Sequence, residues 1–285
     1  MSTTPILDVA DLRVGLSADP SVELLHGVSL RLEAGERLGL VGESGSGKSL
    51  LSLSTMGLQP PAISVRSGSI RVNGTEVIGA GDAVLDSLRG RSMAMIYQDP
   101  MSSLNPVRSV GSQIIEALRA HSPVSRAAAR RRAIDLLGAV GVREPHRTVD
   151  NYPHEFSGGM RQRVMIAMAI SCEPQLLLAD EPTTALDVTT QAKIMELLDA
   201  LVDERDMAVV FVTHDIALAS SFCSRIDVMR KGEIVETGPT AELMAAPRHP
   251  YTQALLGSIC TFETDPNQPL LSLREEPAIV EGGVR

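Results

Sequence analysis

Eight consecutive residues, Gly42-Glu43-Ser44-Gly45-Ser46-Gly47-Lys48-Ser49, follow the pattern G-x-x-x-x-G-K-[ST] in full. The pattern suits a polyphosphate. Its glycines let the backbone wrap closely around an anion, so successive N–H groups point inward as donors. A helix starting near Lys48, with Leu50 in its first turn, adds the positive end of its dipole. Lys48 supplies a mobile point charge to β- and γ-phosphates, and Ser49 offers a hydroxyl to Mg2+. Such a magnesium ion also asks for a carboxylate. Leu176-Leu177-Leu178-Ala179-Asp180 is an apolar run that ends in one, and Glu181 follows at once. Asp180 at a strand tip can hold Mg2+ through water. Glu181 can act as general base towards an attacking water. Alone, an acidic pair after an apolar run is an ordinary strand end; the loop upstream turns it into a nucleotide site. Lysine is otherwise almost absent, with only Lys193 and Lys231 besides Lys48.

These groups need a scaffold, and the hydrophobic pattern supplies one. Arg37–Val41 is a short, mostly apolar strand that runs into the glycine-rich loop. Leu50, Leu51, Leu53, Met56 and Leu58 then recur at helical spacing, so residues 37–58 read as strand, loop, helix. Val28–Leu32 alternates apolar and polar residues, as a half-buried strand does. Residues 66–78 read as a hairpin turning at Asn73-Gly74. Leu176–Ala179 and Ala208–Val212 read as buried strands around a helix at about 189–203, a βαβ unit of a parallel sheet. From 107 to 171 the pattern becomes helical. One helix carries Ile114, Ile115 and Leu118, a second runs from Ser125 through Val140 to a stop at Gly141, and Ser157-Gly158-Gly159 opens a third. Arg130-Arg131-Arg132 fits a solvated helix face. A short helix over Tyr251–Ile259 precedes an irregular acidic tail.

Composition narrows the classes. With 285 residues, 44% hydrophobic and 21% charged, the chain is globular, large enough for one large domain or two intimate ones. Its longest apolar run, Val164–Ile170, is far short of a membrane helix. The first residues lack a basic segment followed by an apolar one, so no secretory leader is expected. Three scattered cysteines, Cys172, Cys223 and Cys260, fit a reducing compartment. A net charge of −9 argues against nonspecific nucleic-acid binding.

Further short motifs surround the two above. Tyr97-Gln98 precedes Asp99-Pro100. Phe156-Ser157-Gly158-Gly159-Met160-Arg161-Gln162 lies between loop and acidic pair. Ala185-Leu186-Asp187 follows that pair, and Val212-Thr213-His214-Asp215 ends the next apolar strand. In this order the set resembles the nucleotide-binding subunits of ABC transporters: Walker A, Q-loop, signature, Walker B, D-loop and switch histidine. The resemblance implies an α/β fold, a P-loop NTPase (RecA-like) core with an antiparallel β subdomain and an inserted helical subdomain. It places the core in residues 1–98 and 172–246, the helical subdomain in 99–171 and a short tail in 247–285. It implies ATP and Mg2+, with Gln98 touching the metal or the attacking water and His214 the γ-phosphate. Ser157, Gly158, Gly159, Gln162 and Asp187 are implied to serve the ATP of an opposite subunit, so that two chains clamp two ATP molecules head to tail.

A narrower resemblance extends beyond this machinery. Asp99–Pro106, Tyr152–Ala169 and Arg248–Leu256 are similar to the oligopeptide, dipeptide and nickel importer branch. That branch implies two permease subunits, a second and different ATPase subunit, an extracytoplasmic solute-binding protein and a place at the cytoplasmic face of a bacterial or archaeal membrane. Related members work in phosphonate processing, and soluble ABC proteins act outside transport. The single ATPase unit argues against the latter, and intact Lys48, Asp180, Glu181 and His214 against a catalytically dead subunit. Many members of the branch carry several cysteines near the C-terminus. Here only Cys260 does, so no iron–sulfur centre is expected. Leu16 occupies the place of an adenine-stacking aromatic, so weak base discrimination is expected.

Overall fold

The computed structural model describes residues 4–184 and 186–257. Strands β1 (Leu7–Leu16), β2 (Glu23–Leu32) and β3 (Arg37–Val41) lead into helix α1 (Lys48–Thr55). The hairpin β4 (Ile63–Val72) and β5 (Thr75–Glu76) follows, then α2 (Asp82–Leu88) and β6 (Met93–Ile96). Five helices come next: α3 (Pro100–Ser103), α4 (Val110–His121), α5 (Arg126–Ala139), α6 (Pro145–Thr148) and α7 (Gly158–Ala169). The chain then forms β7 (Leu176–Asp180), α8 (Val188–Arg205), β8 (Ala208–Thr213), α9 (Ile216–Phe222), β9 (Arg225–Arg230), β10 (Glu233–Pro239), α10 (Thr240–Ala245) and α11 (Pro250–Gly257).

The larger sheet has the order β10-β9-β3-β8-β7-β6, parallel except for β10 against β9. Parallel strands put their carboxyl ends on one edge, where open α/β sheets bind ligands. Here that edge carries the residues that follow β3, β6, β7 and β8. The smaller sheet, β2-β1-β4-β5, is antiparallel.

The central strands divide their side chains between two cores. Leu177, Ala179, Val209 and Phe211 pack with Leu136, Val164 and Ile194 of the helices. Leu176, Leu178, Val210 and Val212 pack with Leu7, Leu12, Leu32 and Ile70 of the smaller sheet. Alternate residues on a strand face opposite ways, so both faces being buried requires the continuous apolar runs seen in the sequence.

Local signals place several boundaries. Ser125 caps α5, its hydroxyl accepting the Ala128 N–H, and Gly141 lies beyond the end at φ +76°. Asn73 and Gly74, at φ +50° and +76°, make the hairpin turn. Helix α1 stops at Thr55, short of the apolar spacing that reached Leu58. Gly57 at φ +63° reverses the chain, its N–H bonding Ser54 O and the Leu58 N–H bonding Leu53 O. That is a Schellman closure, with Leu58 as the apolar residue after it. Helix α11 begins at Pro250; the expected end at Ile259, the acidic tail and Cys260 lie outside the described residues.

Strand β1 was not legible as a ten-residue strand. Its buried residues run Leu7, Val9, then Leu12, Val14, with Ala10 and Asp11 both exposed. A bulge with Asp11 at φ +44° shifts the phase by one and breaks the alternation.

Helix α4 approaches Val149 through Gly111, whose N–H donates to Val149 O at 2.9 Å. A Cβ at Gly111 would lie 2.2 Å from Val149 Cγ2 and 2.4 Å from Val149 O. Gly111→Ala is therefore expected to destabilise the helical region by ~1 to 3 kcal/mol through overpacking. Thermal unfolding measures this as a lowered midpoint; an unchanged one would mean that the contact yields freely.

Candidate functional site

Lys48 begins α1 and is only 4% exposed. Its Nζ donates to Gly42 O and Glu43 O, both at 2.8 Å, and to Ser46 Oγ at 3.3 Å. Burial lowers the pKa of its amine, against the opposing pull of Glu181, Asp180 and Glu43. Gly45, at φ +81°, has open space where a side chain would start, and Gly47 at φ +106° packs against Leu25 and Met229. The first glycine keeps the loop's mouth clear, and the second allows the turn into the helix.

Ser49 Oγ donates to Asp180 Oδ1 at 3.0 Å, joining the loop to the tip of β7. Burial raises the Asp180 carboxyl above its ordinary range, with the Ser49 bond opposing. Glu181 sits one residue on, in the left-handed region at φ +45°. Its N–H bonds Val212 O of β8 at 2.9 Å. A non-glycine residue adopts this backbone only when its surroundings impose it. The kink sets the Glu181 side chain, 11% exposed, among three partners. Thr184 Oγ1 donates to Oε2 at 2.7 Å, Gln98 Nε2 donates to Oε2 at 3.0 Å, and His214 Nδ1 lies 3.3 Å from Oε1. Burial pushes the Glu181 pKa up, but the Thr184 and His214 bonds outweigh it and hold the carboxyl below its ordinary value. Thr184 was not singled out from the sequence. Spacing alone does not distinguish it from Thr183, and only the kink at Glu181 turns it back onto the carboxylate.

A cavity of about 310 Å3 opens over these groups. Ser44, Gly45, Gly47, Lys48, Ser49 and Leu50 line it from the loop and α1, Gln98 and Glu181 from the sheet edge, and Leu24 from β2. Leu16, the expected substitute for an adenine-stacking ring, ends β1 paired with Ile63 and is not among the lining residues. The apolar lining residue from the smaller sheet is Leu24. The two leucines lie on different strands of a hairpin, so the sequence could not rank them.

The signature residues lie apart from this cavity. Ser157 caps α7, exposed, its side chain making no cap bond. Gly158 is exposed too, and Gly159 abuts α8, where a Cβ would come 2.5 Å from Thr190 Cγ2. Asp187 is exposed and caps α8, accepting the Thr190 N–H at 3.0 Å. Gln162 departs from expectation. It is 2% exposed, with Nε2 unpartnered among the described residues, because its place one turn into α7 falls on the packed side of the helix. In this conformation it is closed to a nucleotide carried by another chain.

Comparison with known proteins identifies the family. Residues 25–184 match the ABC transporter family, and residues 235–282 the oligopeptide/dipeptide transporter C-terminal region. The chain belongs to the ABC transporter family. It is 45% identical over 276 residues to the oligopeptide transport ATP-binding protein OppD of Bacillus subtilis, covering 96% of this chain and 77% of that protein. It is 49% identical over 255 residues to the dipeptide transport ATP-binding protein DppD of Escherichia coli, covering 90% and 77%. Among solved structures, the dimeric ATP-binding cassette MJ0796 in a post-hydrolysis state with ADP and Pi superposes with a TM-score of 0.71 at 28% identity, covering 82% of this chain and 98% of that one. This ABC protein is accordingly an ATP hydrolase with a P-loop NTPase core, acting on ATP with Mg2+.

The site fits that substrate and metal. The space at Gly45 leaves the loop's backbone open to phosphate. Ser49 and Asp180 already present a hydroxyl and a carboxylate side by side, the oxygen donors Mg2+ prefers.

The placement of Leu24 carries a direct expectation. Leu24→Ala should weaken ATP binding ~3- to 10-fold through lost apolar contact, and Leu16→Ala should weaken it less. Equilibrium nucleotide titration of both variants checks this; a larger effect at Leu16 would return the base contact to β1.

Proposed function

We propose that this chain is the ATP-hydrolysing subunit of a peptide importer. The observation that carries the hydrolytic part is the convergence of Gln98, Thr184 and His214 on the Glu181 carboxylate beside the Lys48 loop. The peptide part rests on the match of residues 235–282, outside the ATP machinery, to the oligopeptide/dipeptide transporter region. The names carried by the OppD and DppD relatives point the same way.

In this reading the loop from Gly42 and Glu43 wraps the phosphates, and the N–H groups along Ser44, Gly45, Ser46, Gly47, Ser49 and Leu50 cradle them. Lys48 leaves its carbonyl partners to meet the β- and γ-phosphates. Ser49, Asp180 and Gln98 hold Mg2+, which when bound screens the phosphate charge. Glu181, kept ionised by its hydrogen bonds, takes the proton of the attacking water, and His214 steadies the γ-phosphate side. Ser157, Gly158, Gly159 and Asp187 act on the nucleotide of a second ATPase subunit. Their absence from the lining of the Lys48 cavity supports action between chains. The work divides at 98/99 and 171/172, with the helical part in 99–171 and a tail from 247. We assign the chain a second, different ATPase subunit, two permease subunits and an extracytoplasmic solute-binding protein, at the cytoplasmic face of the membrane. Among the described residues no helix is long and apolar enough to cross it.

Two outcomes test these roles. Glu181→Gln keeps the phosphate contacts but cannot take a proton, so ATP binding should persist while steady-state hydrolysis falls ~10²- to 10⁴-fold. Near wild-type turnover would remove Glu181 from the role. Ser157→Arg in one chain of a mixed dimer should abolish ATP occupancy at the site built on the other chain's Lys48. Loss confined to the altered chain's own loop would refute action between chains.

A further inference from the structure

We propose that Tyr251 is a positioning residue for the phosphate loop, tying the C-terminal segment to ATP binding. The proposal rests on the loop binding ATP as read above. Tyr251 belongs to α11 and is 3% exposed, yet its phenolic oxygen reaches the first variable residue of the loop. The Glu43 N–H donates to it at 2.9 Å. The Arg230 guanidinium lies over its ring, 4.9 Å from the centroid, and fixes it from the end of β9.

The segment before Tyr251 is itself anchored. The N–H groups of Arg248 and His249 donate to the Glu236 carboxylate of β10 at 2.8 and 3.0 Å. The Tyr251 N–H donates to His249 Nδ1 at 3.1 Å. A continuous path thus runs from β10 through residues 248–251 to Glu43.

The loop end of that path matters because of what Lys48 does there. The Glu43 carbonyl is now held by Lys48 Nζ, and Lys48 must release it to reach a phosphate. The Tyr251 hydroxyl then keeps Glu43 in place while the N–H groups after it converge on the anion. Preorganised donors bind best when they need not be reordered. A tyrosine serving only to fill the core would need its ring and not its oxygen, which separates the two roles.

Tyr251→Phe in the full chain keeps the ring and the Arg230 contact and removes only the acceptor for Glu43. The expected result is a Kd for Mg2+-ATP raised ~3- to 10-fold, the size of one net hydrogen bond. The unfolding midpoint without nucleotide should fall only slightly, because Glu43 is exposed and water can take over its N–H. Coupling is reciprocal. ATP should therefore slow hydrogen exchange at the α11 amides of the wild type, and do so less in the phenylalanine variant. Wild-type affinity in the variant, or α11 exchange indifferent to ATP in the wild type, would overturn the proposal. A wild-type chain that bound no ATP would instead overturn the function on which it rests.

Discussion

Lys48 and Glu181 line one small cavity, buried Asp180 is joined to its lining through Ser49, and the cost of keeping three ionisable groups so close shapes everything around them. Buried charges need partners or they neutralise. Each group is given a different one. The amine is folded onto backbone carbonyls, Asp180 receives a serine hydroxyl, and Glu181 receives a threonine, an amide and an imidazole. The two carboxylates are sequence neighbours, yet burial raises one while hydrogen bonds lower the other. Environments that push neighbouring titratable groups apart are how adjacent carboxylates acquire separate tasks.

No single element could supply these partners. Gln98 follows β6, Glu181 follows β7 and His214 follows β8, three adjacent parallel strands whose ends meet at one edge. The adjacency of β3 to β8 brings the phosphate loop to that edge as well. Parallel pairing in turn demands crossover helices on both faces, and hence strands apolar on both sides. The run Leu176-Leu177-Leu178-Ala179 is thus a condition of the chemistry at Asp180 and Glu181, because it holds their backbone between β6 and β8.

Those local regularities are also what made the site readable. A glycine-rich loop between strand and helix, an acidic pair at a strand tip and helix starts at 125 and 157 are written in short windows of sequence, and the structure places them as read. Features that depend on distant segments were not readable. The bulge in β1 hides its alternation, and the presence of Leu24 rather than Leu16 in the lining of the cavity depends on hairpin packing. The burial of Gln162 follows from which side of α7 meets its neighbours. Tyr251 lies 208 residues from Glu43, in a helix whose spacing says nothing of its oxygen.

The exposed face is organised by the same economy. Asp187 caps α8 through the Thr190 N–H, and Thr190 in turn fills the space beside Gly159 at the start of α7. A side chain at 159 would collide with Thr190, so only glycine lets the two helix starts approach this closely. Ser157, with its hydroxyl uncommitted to its own helix, and Asp187 are thereby fixed relative to each other through one side-chain contact. Under the proposed action between chains, the two residues would have to work together, because a second body approaches them as a single surface. The Gly159–Thr190 contact joins the starts of α7 and α8, and α8 lies in the chain between β7 and β8, the strands that Glu181 and His214 follow.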